Sequence, residues 1–299
     1  MEIAFIIEDS LTGLMTGGVY ALIAVGIVFV FRATKAFNFA HGTVMMVGAY
    51  FYHTITVVLG DLGIGSWAIY VIGLPLALLV SALFGAAIER VVMRPMLGQN
   101  PFAMIMVTIG LISVLEGGTA IIWSSNAHYP PALVGLKIDF IGGLAINRQM
   151  FASFLIAAIV FATLAVLFLK SKAGVAIRAT ASDQSTAYAM GINVPRVFSI
   201  TWMVAAGTGA LAGILLAPLN SLTPSLGAVG LSVIAVVILG GMDSVIGVLL
   251  AAFLVGWLEA MTNHFLGGDF KEIVPYVVVL VIILIRPYGL LGTPDVERV

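Results

Sequence analysis

Long apolar runs without Asp, Glu, Lys or Arg constrain this chain most. Residues 11–31 and 149–169 are each 21 residues long, 62–88 is 27 and 197–242 is 46. About 20 helical residues cross a hydrocarbon core of about 30 Å, so the longest run can cross twice. Charged residues make up only 9% of the chain, against about a quarter in soluble domains. Because helices satisfy their own backbone polar groups, the sequence predicts an all-α, polytopic integral membrane protein.

The hydropathy pattern predicts nine spans, within a range of about 8–10 transmembrane helices, in a single transmembrane domain over residues 1–299. They lie at roughly 11–31, 43–59, 67–88, 101–123, 149–169, 197–217, 227–241, 244–263 and 273–287. Two are weak: the stretch from Leu222 to Gly241 is compatible with a partly re-entrant helix pair, and the last span has a short apolar core that ends at Arg286.

The distribution of basic residues predicts the orientation. With the N-terminus outside, ten of the 13 Lys and Arg residues lie in cytoplasmic segments, and only Lys137, Arg148 and Lys271 lie outside. Lys and Arg near membrane spans favour the cytoplasmic side. We therefore expect a cytoplasmic C-terminus, a periplasmic loop at 124–148 and a cytoplasmic loop at 170–196.

Sequence motifs for catalysis and metal binding are missing. The chain has no cysteine, its four histidines are dispersed, and neither H-E-x-x-H nor G-x-S-x-G occurs. The phosphate-binding pattern G-x-x-x-x-G-K-[ST] is absent as well. We expect no enzyme activity, no metal and no cofactor, and any ATP-driven step would need another polypeptide.

Two acidic residues, Glu116 and Glu259, lie within predicted spans. An acid in the membrane is costly and usually faces a cavity or a partner. Counting the helical rise places both in the outer third of the membrane. Two interpretations stay open: an interfacial or helix-pairing role, and a role in passing a proton or solute.

The cytoplasmic loop carries a predicted amphipathic helix at about 178–190, with Ala179, Ala187 and Met190 on its apolar side. Gly191 is expected to end it and Pro195 to begin the next span. The helix is either a basic linker held at lipid headgroups or a docking element that a cytoplasmic ATPase pushes.

The stretch AFNFAHG, residues 36–42, interrupts two apolar runs with polar groups. As a turn, Asn38 would cap the second span and Gly42 would let the backbone turn. As a re-entrant pore element, Asn38 and His41 would line a path near the inner gate, with His41 as a hydrogen-bonding, pH-sensitive group.

Five stretches in order carry a resemblance to a known family. They are GGVYALIAVGIVFVFRATKAFNFAHG (17–42), IERVVMRPM (88–96), RATASDQSTAYAMGINVPRV (178–197), VILGGMDSVIGVLLAAFLVGWLEAM (237–261) and RPYGLLG (286–292). The chain resembles the LivH-like permease family of branched-chain amino acid ABC transporters over essentially its whole length. The resemblance implies an ABC importer permease fold in the cell inner membrane that translocates hydrophobic, branched-chain amino acids by alternating access.

The resemblance also implies partners and site residues. The partners are a second homologous permease, two cytoplasmic ATP-binding subunits and a periplasmic solute-binding protein. Residues 178–197 would be the ATPase-coupling loop, with Arg178, Ala187, Gly191 and Pro195 as its residues. The family commonly has Glu after NFAHG, where Thr43 stands here.

Two alternatives stay open. Similar permeases are assigned to urea and short amides, and most of the selectivity resides in the binding protein. A stand-alone ion-coupled carrier or channel would use Glu116, Glu259 and His41 as its gating or proton groups. In the importer interpretation, Asn38, His41, Glu116 and Glu259 form the candidate translocation path.

Overall fold

The computed structural model describes residues 2–35, 37–96, 98–141, 144–271 and 273–292. The helices are α1 Glu2–Thr34, α2 His41–Asp61, α3 Ser66–Ile88, α4 Pro101–Trp123, α5 Arg148–Lys170, α6 Lys172–Ser182, α7 Gln184–Ala189, α8 Val194–Asn220, α9 Val229–Gly240, α10 Val245–Leu266, α11 Gly268–Lys271 and α12 Val274–Ile285. A π-helical turn at Glu89–Met93 and 3-10 turns at Arg94–Met96 and Pro224–Ala228 complete the helical segments.

Every predicted span is helical within the described residues, and seven helices are long and apolar enough to cross a membrane. The other two predicted spans form α9 and α12, with 12 residues each. At about 1.5 Å per residue, each covers about 18 Å, which is too short to cross alone. The two spans that the sequence predicts only weakly are therefore the ones that form the short helices α9 and α12.

Helix α1 lies at the centre of the fold. It extends beyond the predicted 11–31 to 33 residues and packs between α5, α8 and α10. A Cβ added at Gly17 would lie 2.6 Å from the Ala252 carbonyl oxygen, and one at Gly256 would meet Gly13 and Gly17. Small residues therefore let α1 and α10 approach closely, which is how helices associate in lipid without a hydrophobic driving force between them.

Two of the inner helices, α2 and α9, begin inside the bundle rather than at one of its ends. Between α1 and α2, Lys35 has a positive φ of 56°, and the chain turns back so that the His41 ring reaches Ile23 and Gly26 of α1. Ile23 lies about 16 Å along α1 from its end at Thr34. Helix α2 therefore starts well inside the bundle.

The second break follows α8. Ser221 has a positive φ of 61°, and Leu222 pairs with His128 of the 124–148 loop as an isolated antiparallel bridge. The chain then re-enters the bundle through Pro224–Ala228, and α9 starts beside the first turn of α2. The predicted re-entrant stretch from Leu222 to Gly241 thus contains the Pro224–Ala228 turn and the half-length helix α9.

Several local expectations need correction. The predicted single helix at 178–190 is two helices, α6 and α7, because Asp183 is extended (φ −157°, ψ 116°) and begins the second one. The 124–148 loop contains the antiparallel strands β1 Ile138–Ile141 and β2 Leu144–Asn147, so the chain is mostly rather than entirely helical. Ala36 and Arg298, counted in the sequence patterns, lie outside the described residues.

Candidate functional site

A polar cavity of about 340 Å³ opens at the predicted outer end of α1, α8 and α10. Its charged lining residues are Asp9, Glu259 and Lys271. The Tyr20 hydroxyl donates a hydrogen bond to Glu259 Oε2 at 2.9 Å. Val229, the first residue of α9, also lines the cavity. The cavity therefore reaches from the outer end of the bundle to the start of α9.

Below this cavity, His41 and Asn38 are buried with unused hydrogen-bonding capacity. Each residue is 1% exposed, and His41 Nε2 and Asn38 Nδ2 have no hydrogen-bond partner among the described residues. Asn38 Oδ1 accepts from the Ala40 amide at 3.0 Å, so Asn38 orders the turn before α2, whose N-cap is Ala40. Buried polar groups are nearly always paired, so these two atoms in one turn are candidates for binding a polar group.

Glycines close the space around this turn. A Cβ on Gly26 would lie 2.8 Å from His41 Nε2. One on Gly42 would meet the Gly227 carbonyl oxygen and lie 2.5 Å from Gly230 Cα. Gly42 thus lies inside α2 and supplies room for the Pro224–Ala228 turn and α9, rather than the backbone turn that the sequence suggested.

A second cavity of about 380 Å³ lies at the predicted cytoplasmic side of the same turn. Its lining is mainly aromatic and aliphatic: Phe31, Lys35, Phe37, Phe39, Met104, Ile105, Ile238 and Met242. Phe37 and Phe39 flank Asn38 in sequence, and their rings are 4.8 Å apart. The turn and the glycine contacts therefore separate an outer polar cavity from an inner apolar one.

The 170–196 segment combines an anchored side with an exposed side. Ala187 is buried with Ala33, Val194 and Phe198, whereas Tyr188 and Met190 are 71% and 79% exposed.

Two polar groups position the segment. The Arg178 guanidinium donates to the Phe168 carbonyl and lies over the Phe168 ring. Asp183 accepts from the Ser185 hydroxyl and the Thr186 amide, which keep the pKa of its carboxyl below the ordinary value. Helix α7 is therefore held in place on its buried side, while Tyr188 and Met190 at its end are exposed.

Residues 10–284 match the family model described as branched-chain amino acid transport system, permease component. The chain belongs to this family. Its members are transport subunits rather than enzymes, and this permease is a multi-pass protein of the inner membrane.

Named relatives match over nearly their full length. LivH, the high-affinity branched-chain amino acid transport system permease protein of Salmonella typhimurium, is 28% identical over 100% of this chain and 99% of its own. BraD of Pseudomonas aeruginosa, with the same description, is 29% identical with the same coverage. The probable LivH of Methanocaldococcus jannaschii is 25% identical over 91% of this chain and 88% of its own.

One solved structure, PsaBC from Streptococcus pneumoniae in complex with Fab, aligns with 93% of the permease and 92% of its own chain. Its TM-score is 0.49 at 13% identity. A likeness this distant supports no conclusion.

The structure brings two of the four predicted path residues, Asn38 and His41, together, and neither of them lines either cavity. Asn38 and His41 share the buried turn, and Glu259 lines the outer cavity above it. Glu116 is half-buried on α4 and lines neither cavity. Sequence reasoning missed Tyr20, the partner of Glu259, because their pairing depends on the α1–α10 contact across 239 positions.

Of the predicted coupling residues, Gly191 and Pro195 have the expected local roles. Gly191 has a positive φ of 84° and follows the end of α7, and Pro195 lies in the first turn of α8. Ala187 faces inward, so the exposed apolar tip consists of Tyr188 and Met190 instead.

Proposed function

We propose that this permease is the membrane-spanning subunit of an ABC importer that moves branched-chain amino acids inward by alternating access. One observation carries the proposal: two cavities at opposite ends of the bundle are separated by the buried crossing where the first turn of α2 packs against the start of α9. Alternating access needs such a central site with a gate on each side. The names of the relatives support the substrate class.

The path suits a solute with one positive group, one negative group and an apolar side chain. Glu259 with Tyr20 offers an acceptor for an ammonium group in the outer cavity. At the crossing, the Asn38 amide nitrogen and the N-terminus of α2 offer donors for a carboxylate. The aromatic inner cavity then receives the apolar side chain.

Two features support ATP-binding subunits as partners: the sequence has no ATP-binding motif, and the end of α7 is exposed on the predicted cytoplasmic side. Two ATP-binding subunits would hydrolyse ATP and push α7, and a periplasmic binding protein would deliver the solute outside. A second, homologous permease would complete the pair. The N-terminus lies outside and the C-terminus in the cytoplasm, as the distribution of basic residues indicates.

We expect leucine uptake only from the complete assembly. Proteoliposomes should hold the permease, its partner permease and both ATPases, with ATP inside and loaded binding protein outside, and radiolabelled leucine measures import. Unlabelled valine and isoleucine should compete, and urea and acetamide should not. Matched vesicles contain the permease alone.

Competition by urea instead would assign the permease to amide transport. Leucine accumulation by the lone permease, without ATP or binding protein, would establish the ion-coupled carrier and contradict the importer. Both alternatives therefore give distinct results in the same assay.

We expect His41→Ala to lower leucine uptake at least about tenfold in an assembled complex. The substitution removes the buried imidazole that fills the space beside Gly26 and leaves a cavity in the crossing. His41→Gln, which keeps hydrogen-bonding atoms, should retain more uptake. A matched control is His53→Gln, since His53 lies later in the same helix and lines neither cavity. Equal uptake by His41→Ala and the unmodified permease would remove His41 from the path.

A further inference from the structure

A buried carboxylate lies where α3 ends, outside both cavities. The Glu89 side chain is 2% exposed and accepts two hydrogen bonds from Arg94, from Nε to Oε1 and from Nη2 to Oε2, both at 2.9 Å. Residues 89–93 form a π-helical turn, in which the Arg94 amide donates to the Glu89 carbonyl five residues earlier. The widened turn brings the guanidinium back over the carboxylate, and such turns are frequent at functional sites.

The third member of the cluster comes from another helix. The Ser199 hydroxyl donates to Glu89 Oε2 at 2.7 Å and accepts from Arg94 Nη2 at 2.9 Å. A hydroxyl can do both at once, so the three side chains form a closed ring of hydrogen bonds. The same Arg94 nitrogen also reaches the Pro195 carbonyl at 3.5 Å. We call Glu89, Arg94 and Ser199 the triad.

The triad lies between the 170–196 segment and the turn that joins α1 to α2. Pro195 and Ser199 belong to the start of α8, where the 170–196 segment continues into that helix. Beside the triad, a space of only about 10 Å³ is bounded by Thr34, Met104 and Trp202. Thr34 is the last residue of α1, before the turn that carries Asn38. The space cannot hold an amino acid, so the triad connects elements rather than binding solute.

Removing one member of such a cluster costs far more free energy than the whole cluster contributes to stability. Only the Glu89 side chain is buried, since Arg94 is 35% exposed, so loss of Arg94 would leave a buried carboxylate without its charged partner. The triad therefore has one low-energy arrangement, with the ends of α3 and α8 at fixed separation. Apolar contacts around it allow sliding, whereas the four charge-assisted hydrogen bonds within the triad do not.

We propose that the triad makes the cytoplasmic end of α3 move as one body with the first two turns of α8 when the ATPases push the 170–196 segment. Glu89 is then a positioning residue for transport and does not touch the solute. The inference rests on the proposed function, since it assumes ATP-driven movement of this segment.

The test uses the complete importer in proteoliposomes and measures leucine imported per ATP hydrolysed. Glu89→Gln keeps the size of the side chain but removes its charge, and Ser199→Ala removes the link to α8. We expect both to lower this ratio at least about tenfold, since a hydrogen bond to a charged group is lost, while the ATPase rate without binding protein stays unchanged. Ser199→Thr, which keeps the hydroxyl, should restore most of the ratio.

A second measurement separates positioning from simple stability. The chain has no cysteine, so Arg90→Cys and Arg196→Cys, both at exposed positions, allow specific spin labelling across the triad. We expect the label-to-label distance to stay constant between the resting and ATP-bound importer, and to change with ATP in Glu89→Gln. The matched control is Asp139→Asn, which breaks an exposed bidentate pair with Arg148 outside and should leave both readouts unaltered.

The outcomes are distinct. A distance that stays constant in Glu89→Gln and Ser199→Ala, with an unchanged import ratio, overturns the triad proposal while the importer stands. If the Glu89→Gln permease does not fold, the import ratio in Ser199→Ala and its recovery in Ser199→Thr test the proposal instead. Failure of the unmodified complex to import leucine overturns the proposed function instead.

Discussion

Replacing Gly42 by alanine is expected to lower leucine uptake at least about tenfold and to lower the free energy of unfolding by about 1–3 kcal/mol. A Cβ at this position would meet the Gly227 carbonyl oxygen and lie 2.5 Å from Gly230 Cα, so backbone has to shift. That shift separates α2 from α9 at the crossing which closes the path. Uptake into proteoliposomes and thermal unfolding of the purified complex measure the two effects.

Gly60 provides the matched control in the same helix. Nothing lies within 4 Å of a Cβ added there. Alanine has a higher helix propensity than glycine, so Gly60→Ala should stabilise α2 slightly, by about 0.5–1 kcal/mol, and leave uptake unchanged. If Gly42→Ala transports as well as Gly60→Ala, the close crossing is not a gate.

Replacing Gly191 by valine should uncouple the ATPases from transport. Gly191 and Ile192 donate backbone hydrogen bonds to the carbonyls of Tyr188 and Ala187, which forms the Schellman motif that ends α7. Its φ of 84° is unfavourable for a β-branched residue, so the end of α7 must rearrange and the exposed Tyr188 and Met190 must move. We expect assembly to persist while stimulation of ATP hydrolysis by loaded binding protein falls several-fold.

Gly267→Val is the control for backbone strain alone. Gly267 has a φ of 94° after the end of α10, at the predicted outer end, and like Gly191 it has open space around it. Both variants carry similar strain, so only a role in coupling makes them differ. Equal stimulation of ATP hydrolysis in both would contradict the assignment of the 170–196 segment.

The sequence predicts the local structure of the cytoplasmic segment well where a single residue decides it. Gly191 and Pro195 mark a helix end and a helix start in both the prediction and the structure. The prediction fails at Asp183, whose side chain caps α7 and divides one expected helix into two. Ala187 lies on the predicted apolar side, but its partner Ala33 of α1 is 154 positions away, and no local pattern encodes that contact.

By itself, the sequence determined the helical segments, their membrane character and the family, because long uncharged apolar runs and ordered motifs are local properties. Only the tertiary structure decided that Gly42 meets Gly227 and Gly230, that Tyr20 pairs with Glu259, and that Ser199 completes a ring with Glu89 and Arg94. Each of these contacts joins residues more than a hundred positions apart. In lipid, such contacts depend on close packing and hydrogen bonds between particular helices, which hydropathy does not specify.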